Sequence, residues 1–481
     1  MTRDRNAAVW RAVEECAPRA LALSDAVWGV PELAYGETRS AALHRAAMAE
    51  AGFRLHENLA GIPTALMGEA GEGGPVIAFL GEFDALPGLS QEAGVFTPSP
   101  LEPGGNGHGC GHNLLGAGSL LAAMGLARWL ERAGLPGRVR TYACPAEEGG
   151  AGKVFMVRAG AFAGCDVALS WHPDAFVLVD KARSIANLRV DYAFHGRTAH
   201  AAVAPHLGRS AMDAVELTSI GVNYLREHMP VDARIHSALQ DSGTRATNVV
   251  PAYARVRYQI RSATVQDMLA LAERVHDIAR GAALMTGTRL EILPESGTAN
   301  LLGNAVLEGA MHAVMQALGP VPFDEADQAI ARQVQASLTE QDIRTDFARY
   351  GLPYEPGLAL WDRVAPLDNP GELFPGSTDL GDVSFTVPTV QARTATYAIG
   401  TPGHSWQMVA QGKSTLAHKG MVHVAQVMAA TGAALIAEPA LLQAARDEFA
   451  ARLARTPYLC PMPDSAVPPV RVGHAEGGAL G

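Results

Sequence analysis

A chain of 481 residues exceeds what one hydrophobic core usually serves, so two domains are expected. Nearly half the residues are apolar and 18% are charged, which excludes a disordered chain. The net charge of −11 argues against nucleic acid as a main partner, because phosphate binding needs a basic surface.

The five cysteines, at 16, 110, 144, 165 and 460, form no C-x-x-C pair, and their number is odd. A disulfide framework is not expected; a reducing, cytoplasmic setting is. The first six residues lead into an amphipathic helix without a signal-type apolar core. The most apolar later stretch, Gly420 to Ile436, is interrupted by His423 and Gln426 and reads as a core helix, not a membrane span.

In chain order, Ala7–Trp28 and Glu37–Ala51 show helical periodicity. Short β-type runs follow at Phe53–Glu57, Thr64–Met67 and Val76–Leu80. The last is continuously apolar, as a central strand covered on both faces should be. It runs into Gly81-Glu82-Phe83-Asp84, and open α/β sheets place their sites at such carboxyl ends.

Next comes Gly107-His108-Gly109-Cys110-Gly111-His112-Asn113. Glycine permits the sharp turn that brings Cys110 and His112 together at the mouth of an apolar helix, Leu114–Leu130. By spacing alone such a Cys-x-His pair serves packing as readily as metal binding. The strand Arg138–Cys144 ends in Pro145-Ala146-Glu147-Glu148-Gly149-Gly150. Two adjacent carboxylates there fit either a solvated turn or a site holding positive charge. A third strand, Val167–Ser170, ends in Trp171-His172-Pro173. Strands of one sheet end on one edge, so Asp84, Glu147, Glu148 and His172 are expected to converge with Cys110 and His112.

Arg183–Gly297 follows a different pattern. Strands at Ile185–Phe194, Arg234–Gln240, Tyr253–Arg261 and Leu290–Leu293 alternate with helices at Ser210–His228 and Val265–Met285. That β-α-β-β-α-β order is the ferredoxin-like unit, here inserted as a second domain over residues 183–297 between the halves 1–182 and 298–481. The first domain resumes with helices at Asn300–Leu318 and Glu325–Leu338 and a Pro-rich loop from Arg349 to Phe374. A strand, Thr389–Ile399, leads to Gly400-Thr401-Pro402-Gly403-His404-Ser405, which places His404 just past another strand end. Helices Thr415–Ile436 and Pro439–Leu453 complete the core, and the tail from Pro461 is expected to be extended.

The set G-H-G-C-G-H-N, P-A-E-E-G-G-A-G, W-H-P, G-R-T-A-H-A-A, N-V-V-P…R-S, S-T-D-L-G-D-V-S and T-P-G-H-S-W-Q, in this order over nearly the whole chain, resembles the M20 metallopeptidases. Within them it is most similar to the aminobenzoyl-glutamate hydrolases. The resemblance implies an α/β, mixed-sheet zinc-peptidase-like catalytic domain, with residues 183–297 as a lid and dimerisation domain. It implies two divalent metal ions, Mn or Zn, with Cys110 as their bridge. His112 and His172 would complete one ligand set, Glu148 and His404 the other; thiolate, imidazole and carboxylate suit such ions. Glu147 would be the proton shuttle, His200 the oxyanion donor, often reaching the site of a second copy, and Asn248 and Arg261 the holders of the substrate's α-carboxylate. Many family members carry His-x-Asp where this chain has Glu82-Phe83-Asp84. His112 then replaces the missing ligand, and Asp84 either orients a ligand imidazole or caps a turn. His108, His195 and His206 receive no role.

The activity implied is hydrolysis of the amide in an N-acyl amino acid, p-aminobenzoyl-glutamate being the first candidate. Aminoacylase, conjugate hydrolase and dipeptidase activities on other N-acyl amino acids are the alternatives within that class. A non-catalytic subunit of a heteromeric hydrolase is the alternative outside it; thiol catalysis at Cys110 would leave the paired glutamates unexplained. The expected partners are the small-molecule substrate and a second copy or a related subunit, with no nucleic acid and no membrane.

Overall fold

The computed structural model describes residues 2–368 and 376–470. The first part of the chain forms α1 (Thr2–Trp28), α2 (Thr38–Glu50), β1 (Arg54–Glu57), β2 (Leu66–Glu72), β3 (Val76–Glu82), α3 (His112–Ala133), β4 (Gly137–Cys144), the single turn α4 (Glu147–Gly150), α5 (Gly152–Arg158), β5 (Val167–Asp174) and β6 (Leu178–Asp180). Then come β7 (Ala186–His195), α6 (Ala211–Leu225), β8 (Arg234–Asp241), β9 (Tyr253–Ser262), α7 (Val265–Thr286) and β10 (Arg289–Thr298). The last part holds α8 (Ala305–Leu318), α9 (Glu325–Gln335), α10 (Glu340–Arg349), α11 (Leu380–Ser384), β11 (Thr389–Ala395), α12 (Trp406–Gln411), α13 (Thr415–Ala437) and α14 (Pro439–Arg455).

The larger sheet has seven strands in the order β1-β2-β4-β3-β5-β11-β6. Its centre, β4-β3-β5-β11, is parallel, and the flanking strands are antiparallel. Every residue of β3 and of β11 is buried, as expected for strands covered on both faces. Alternation divides β3 between two cores. Ile77 and Phe79 pack with α1, α3 and α13; Ala78 and Leu80 face Tyr142, Phe155 and Leu380 on the other side. The parallel strands end along one edge, and that edge carries the candidate site.

The smaller sheet, β10-β7-β9-β8, is antiparallel throughout. Strand β9 alternates strictly between buried and half-buried positions. Its buried residues Val256, Tyr258 and Ile260, with Leu188, Val190 and Tyr192 of β7, pack with Val215 and Val222 of α6 and Met268 and Val275 of α7. The opposite face is polar: register pairs Asn187 with Arg261, Arg189 with Gln259 and Asp191 with Arg257.

Several expected boundaries move. Strand β5 runs on to Asp174, so His172 lies inside its end and not beyond it. The helix expected from Asn300 begins at Ala305, because the Asn304 side chain accepts the Leu307 N–H and caps it. Strand β11 stops at Ala395, before the expected Ile399. Helix α10 occupies residues short of the expected irregular loop. Residues 350–368 carry no helix or strand, and the rest of that loop, 369–374, lies outside the described residues. The tail through Val470 has no regular structure, and its last residues, 471–481, also lie outside. Helix α13 is long and apolar enough to cross a membrane, yet 83% of its apolar window is buried within the protein.

Candidate metal centre and active site

The turn before α3 is built by close backbone approach. Gly107 and Leu86 exchange both backbone hydrogen bonds, and the His404 N–H donates to the Gly109 carbonyl at 2.9 Å. The loops carrying Cys110 and His404 are therefore tied together. Gly111 adopts φ +76°, and a Cβ there would meet the Pro173 ring at 3.0 Å; only glycine takes that conformation without strain. The chain thus enters α3 with His112 as its first helical residue, fully buried.

Two ligand groups form around one sulfur. Donor atoms of Cys110, His112 and His172 lie within 4.8 Å of one another, as do those of Cys110, Glu148 and His404. Cys110 Sγ stands 3.4 Å from His172 Nε2, and His404 Nε2 stands 3.3 Å from Glu148 Oε1. A third group, Glu82, His112 and Glu147, adjoins them.

Hydrogen bonds orient these donors. His172 Nδ1 lies 2.8 Å from the Pro173 carbonyl. A carbonyl only accepts, so Nδ1 carries the proton and Nε2 presents its lone pair toward Cys110. His112 Nδ1 lies 3.0 Å from Asp84 Oδ1, so by the same argument Nδ1 carries a proton and Nε2 is the nitrogen that faces the ligand groups. Burial opposes a charged His112, but the Cys110 and Asp84 side chains outweigh it and raise its pKa well above the usual imidazole range. The Cys110 and Glu148 side chains beside it push His404 up to about 10. Both shifts report a place where the surrounding negative groups favour positive charge.

The residues fit a pair of divalent cations. Buried His112 Nε2 and Glu148 Oε1 make no contact of hydrogen-bond geometry among the described residues; their polar neighbours, Glu82 Oε2 and His404 Nε2, each stand off at 3.3 Å. Buried polar atoms without a well-formed hydrogen bond are rare in interiors, and both belong to the ligand groups. One thiolate, three imidazoles and a carboxylate suit Zn²⁺ or Mn²⁺ better than Mg²⁺ or Ca²⁺.

The carboxylate turn is held by three contacts. The Ala146 N–H donates to Glu37 Oε1 at 2.9 Å, the Glu148 N–H to Asp84 Oδ2 at 2.8 Å, and the Tyr35 hydroxyl to the Gly150 carbonyl at 2.7 Å. Ala146 and Gly149 take positive φ, +61° and +91°, a conformation that persists only when its surroundings enforce it. Burial and the carboxylates of Glu82, Glu148 and Asp379 raise the Glu147 pKa well above its usual range. Beside the turn, wholly buried Lys153 donates to Glu82 Oε1 at 2.6 Å and to Asp379. Sequence reasoning missed Glu37, Glu82, Lys153 and Asp379 as parts of the site. The one local signal was a lysine inside the apolar run Gly152–Arg158.

The inserted segment places its candidates differently. His200 and Asn248 stand together on exposed loops: the Ala201 N–H donates to the Asn248 carbonyl, and His200 Nδ1 accepts the N–H groups of Ala202 and Val203. No hydrogen bond among the described residues ties either side chain to the ligand groups. Arg261 Nη1 donates to Ser377 Oγ at 3.3 Å, joining the polar sheet face to the loop before Asp379. Of the histidines without a role, His108 is buried against the Val27 carbonyl and His195 pairs with Glu291. His206 sits in a short 3-10 turn.

Residues 78–345 match the model of peptidase family M20/M25/M40. The chain belongs to that family. It is accordingly a hydrolase of amide bonds. It is 42% identical to one of the p-aminobenzoyl-glutamate hydrolase subunits of Escherichia coli K12, over 95% of this chain and 97% of that protein. It is 31% identical to Xaa-Arg dipeptidase of Mus musculus, over 92% and 91%. Among solved structures it resembles a dinuclear metal binding peptidase from the M20 family of Bacillus subtilis, with TM-score 0.55, 18% identity and coverage of 86% and 98%. The M20 match includes the Cys110 turn, the paired glutamates, His172 and the whole inserted segment. His404 and Asp379 lie beyond it and join the site through β11 and α11.

Proposed function

We propose that this M20 member hydrolyses the amide of an N-acyl amino acid, with p-aminobenzoyl-glutamate as its first candidate substrate. The observation that carries the reading is the sharing of Cys110 between two ligand groups, with Glu147 grouped with His112 and next in sequence to Glu148. Cys110, His112 and His172 would hold one cation; Cys110, Glu148 and His404 the other, as Zn²⁺ or Mn²⁺. Divalent cations at such positions make water more acidic and polarise a carbonyl oxygen.

The chain's own residues do the rest. Glu147 accepts the proton of the attacking water and delivers it to the departing amine nitrogen. Its raised pKa suits a group that must hold that proton in transit. Asp84 fixes the His112 ring and the Glu148 backbone together. Asn248 and Arg261 anchor the α-carboxylate. His200, exposed on its loop, serves as oxyanion donor, arriving by closure of residues 183–297 or from a second copy. That segment is read as a lid and dimerisation domain, and the partner as another copy or a related subunit. All five cysteines are unpaired, which fits a reducing, cytoplasmic setting.

A dipeptidase reading of the same site is favoured by the 31% identity to Xaa-Arg dipeptidase. A non-catalytic role is disfavoured, since the full donor set and Glu147 are assembled in one chain. The test is to purify this chain alone without chelator, measure its metal content, and assay N-acyl amino acids and dipeptides with added Mn²⁺ or Zn²⁺. About two metal ions per chain and turnover of an aromatic acyl-glutamate are expected. Protein that binds no metal and turns over none of them refutes the proposal.

A further inference from the structure

The polar face of the smaller sheet carries a run of guanidinium groups, and they are not equivalent. Arg257 is paired with Asp191 at 2.6 Å and with Glu295 at 3.0 Å, and Arg255 lies 3.5 Å from Asp191. Arg189 has no hydrogen bond and no ion pair with any described residue, although it is half-buried. A half-buried arginine without a partner is costly in a stable fold, because guanidinium donors lose water without replacing it.

Its location gives that arrangement a purpose. Arg189 Nη1 sits 3.0 Å from where a Cβ on Gly149 would stand. The guanidinium therefore borders the turn that carries Glu147 and Glu148. Strand register pairs Asn187 with Arg261, so Arg189 is the diagonal neighbour of Arg261 on the same face. Diagonal side chains of antiparallel strands start roughly 7–8 Å apart. Burial and the charge of Arg257 lower the pKa of Arg189, with the carboxylates of Glu295 and Asp191 opposing at longer range; burial and the charge of Arg189 lower that of Arg261. Two guanidinium groups thus share one face, with Arg189 beside the glutamate turn and without a hydrogen bond or ion pair to a described residue, and together they offer donors to two anionic groups.

We propose that Arg189 is a specificity-determining residue that receives the side-chain carboxylate of an acidic N-acyl amino acid while Arg261 takes the α-carboxylate. The inference rests on reading the chain as an N-acyl amino acid hydrolase, and it adds the substrate's second charge. The two carboxylates of a glutamyl group, joined by three carbons, can each meet one planar guanidinium fork. A neutral side chain leaves Arg189 half-buried and unpaired, which is how a polar site rejects an analogue that lacks the matching group.

The test compares wild type, R189Q and R189K, each carrying the metal with which it purifies. Calorimetric titration with glutarate and with its monoamide reads binding without turnover; kcat/KM on p-aminobenzoyl-glutamate and p-aminobenzoyl-glutamine reads catalysis. In R189Q glutarate affinity is expected to fall roughly tenfold or more while the monoamide changes little, and R189K to recover part of the loss. The glutamate-over-glutamine ratio in kcat/KM should fall in parallel. Equal weakening of both ligands by R189Q, or equal binding of both by wild type, overturns the assignment. Glutarate discrimination that depends on Arg189 in a protein that hydrolyses nothing would remove the hydrolase reading and keep this one. Turnover without discrimination would do the reverse.

Discussion

Asp84 joins His112 to the catalytic turn: Oδ1 lies 3.0 Å from His112 Nδ1, and Oδ2 accepts the Glu148 N–H at 2.8 Å. One fully buried carboxylate thereby sets the distance between the two ligand groups. Both its oxygens face donors. In D84N the amide nitrogen must point a hydrogen at one of them. Outer partners of ligating histidines typically contribute 10–100-fold to metal affinity. D84N should lose affinity on that scale, measured by competition with a chromophoric chelator. Unchanged affinity would return Asp84 to the role of a turn cap.

Glu147 and Glu148 are neighbours in sequence with separate tasks. Glu148 presents Oε1 to the ligand group of Cys110 and His404, 3.3 Å from His404 Nε2. Glu147 lies with Glu82 and His112. E147Q should keep its metal and lose roughly 10²–10⁴-fold in kcat. E148Q should lose one metal ion per chain. Metal analysis beside kinetics separates them, and an E147Q protein that loses metal would reverse the assignment.

Much of this was legible from residue patterns. A continuous apolar run announces β3, small apolar residues announce α3, and three strand ends each deliver a charged or ligating side chain to one edge. Periodicity and turn chemistry act locally, so a single chain displays them. The supports of the site do not share that property. Lys153 meets Asp379 across 226 positions, and no local rule connects them. Helix α10 was hidden because only Phe347 in it is buried, too narrow an apolar stripe to stand out. Asp84 was visible as a carboxylate past a strand, but its two acceptors become distinguishable only when α3 and the glutamate turn pack against it.

Lys153 provides a stability test of that hidden support. Its ammonium is fully buried between Glu82 and Asp379. Removing one partner of a buried pair typically costs about 3–5 kcal/mol, because the remaining charges stay desolvated. K153M should be destabilised on that scale in urea, and E82Q/K153M/D379N should recover much of the loss. A K153M protein as stable as wild type would mean that water reaches the two carboxylates.

His423, remote from the metal centre, predicts a specific pH dependence. It is fully buried in α13, where Nε2 donates to the Gly319 carbonyl at 2.8 Å and Nδ1 accepts from Thr394 Oγ1 at 3.3 Å. Burial lowers its pKa to about 4 from the usual 6.5, with the Gly319 contact opposing the shift. The folded protein therefore binds fewer protons at this ring than the unfolded chain does between those values. Stability from this residue is complete above about pH 6.5 and is lost as the pH falls toward 4, at up to about 1.4 kcal/mol per pH unit. Carboxylates elsewhere shift in the opposite sense: Glu37, for instance, is raised to about 8 by burial and Asp84. The measurement is therefore a difference. Unfolding free energies of wild type and H423Q across pH 4–8 should differ by a constant amount above pH 6.5 and converge, or cross, as the pH drops toward 4. Parallel curves over the whole range would mean that His423 takes up its proton in the folded state without penalty.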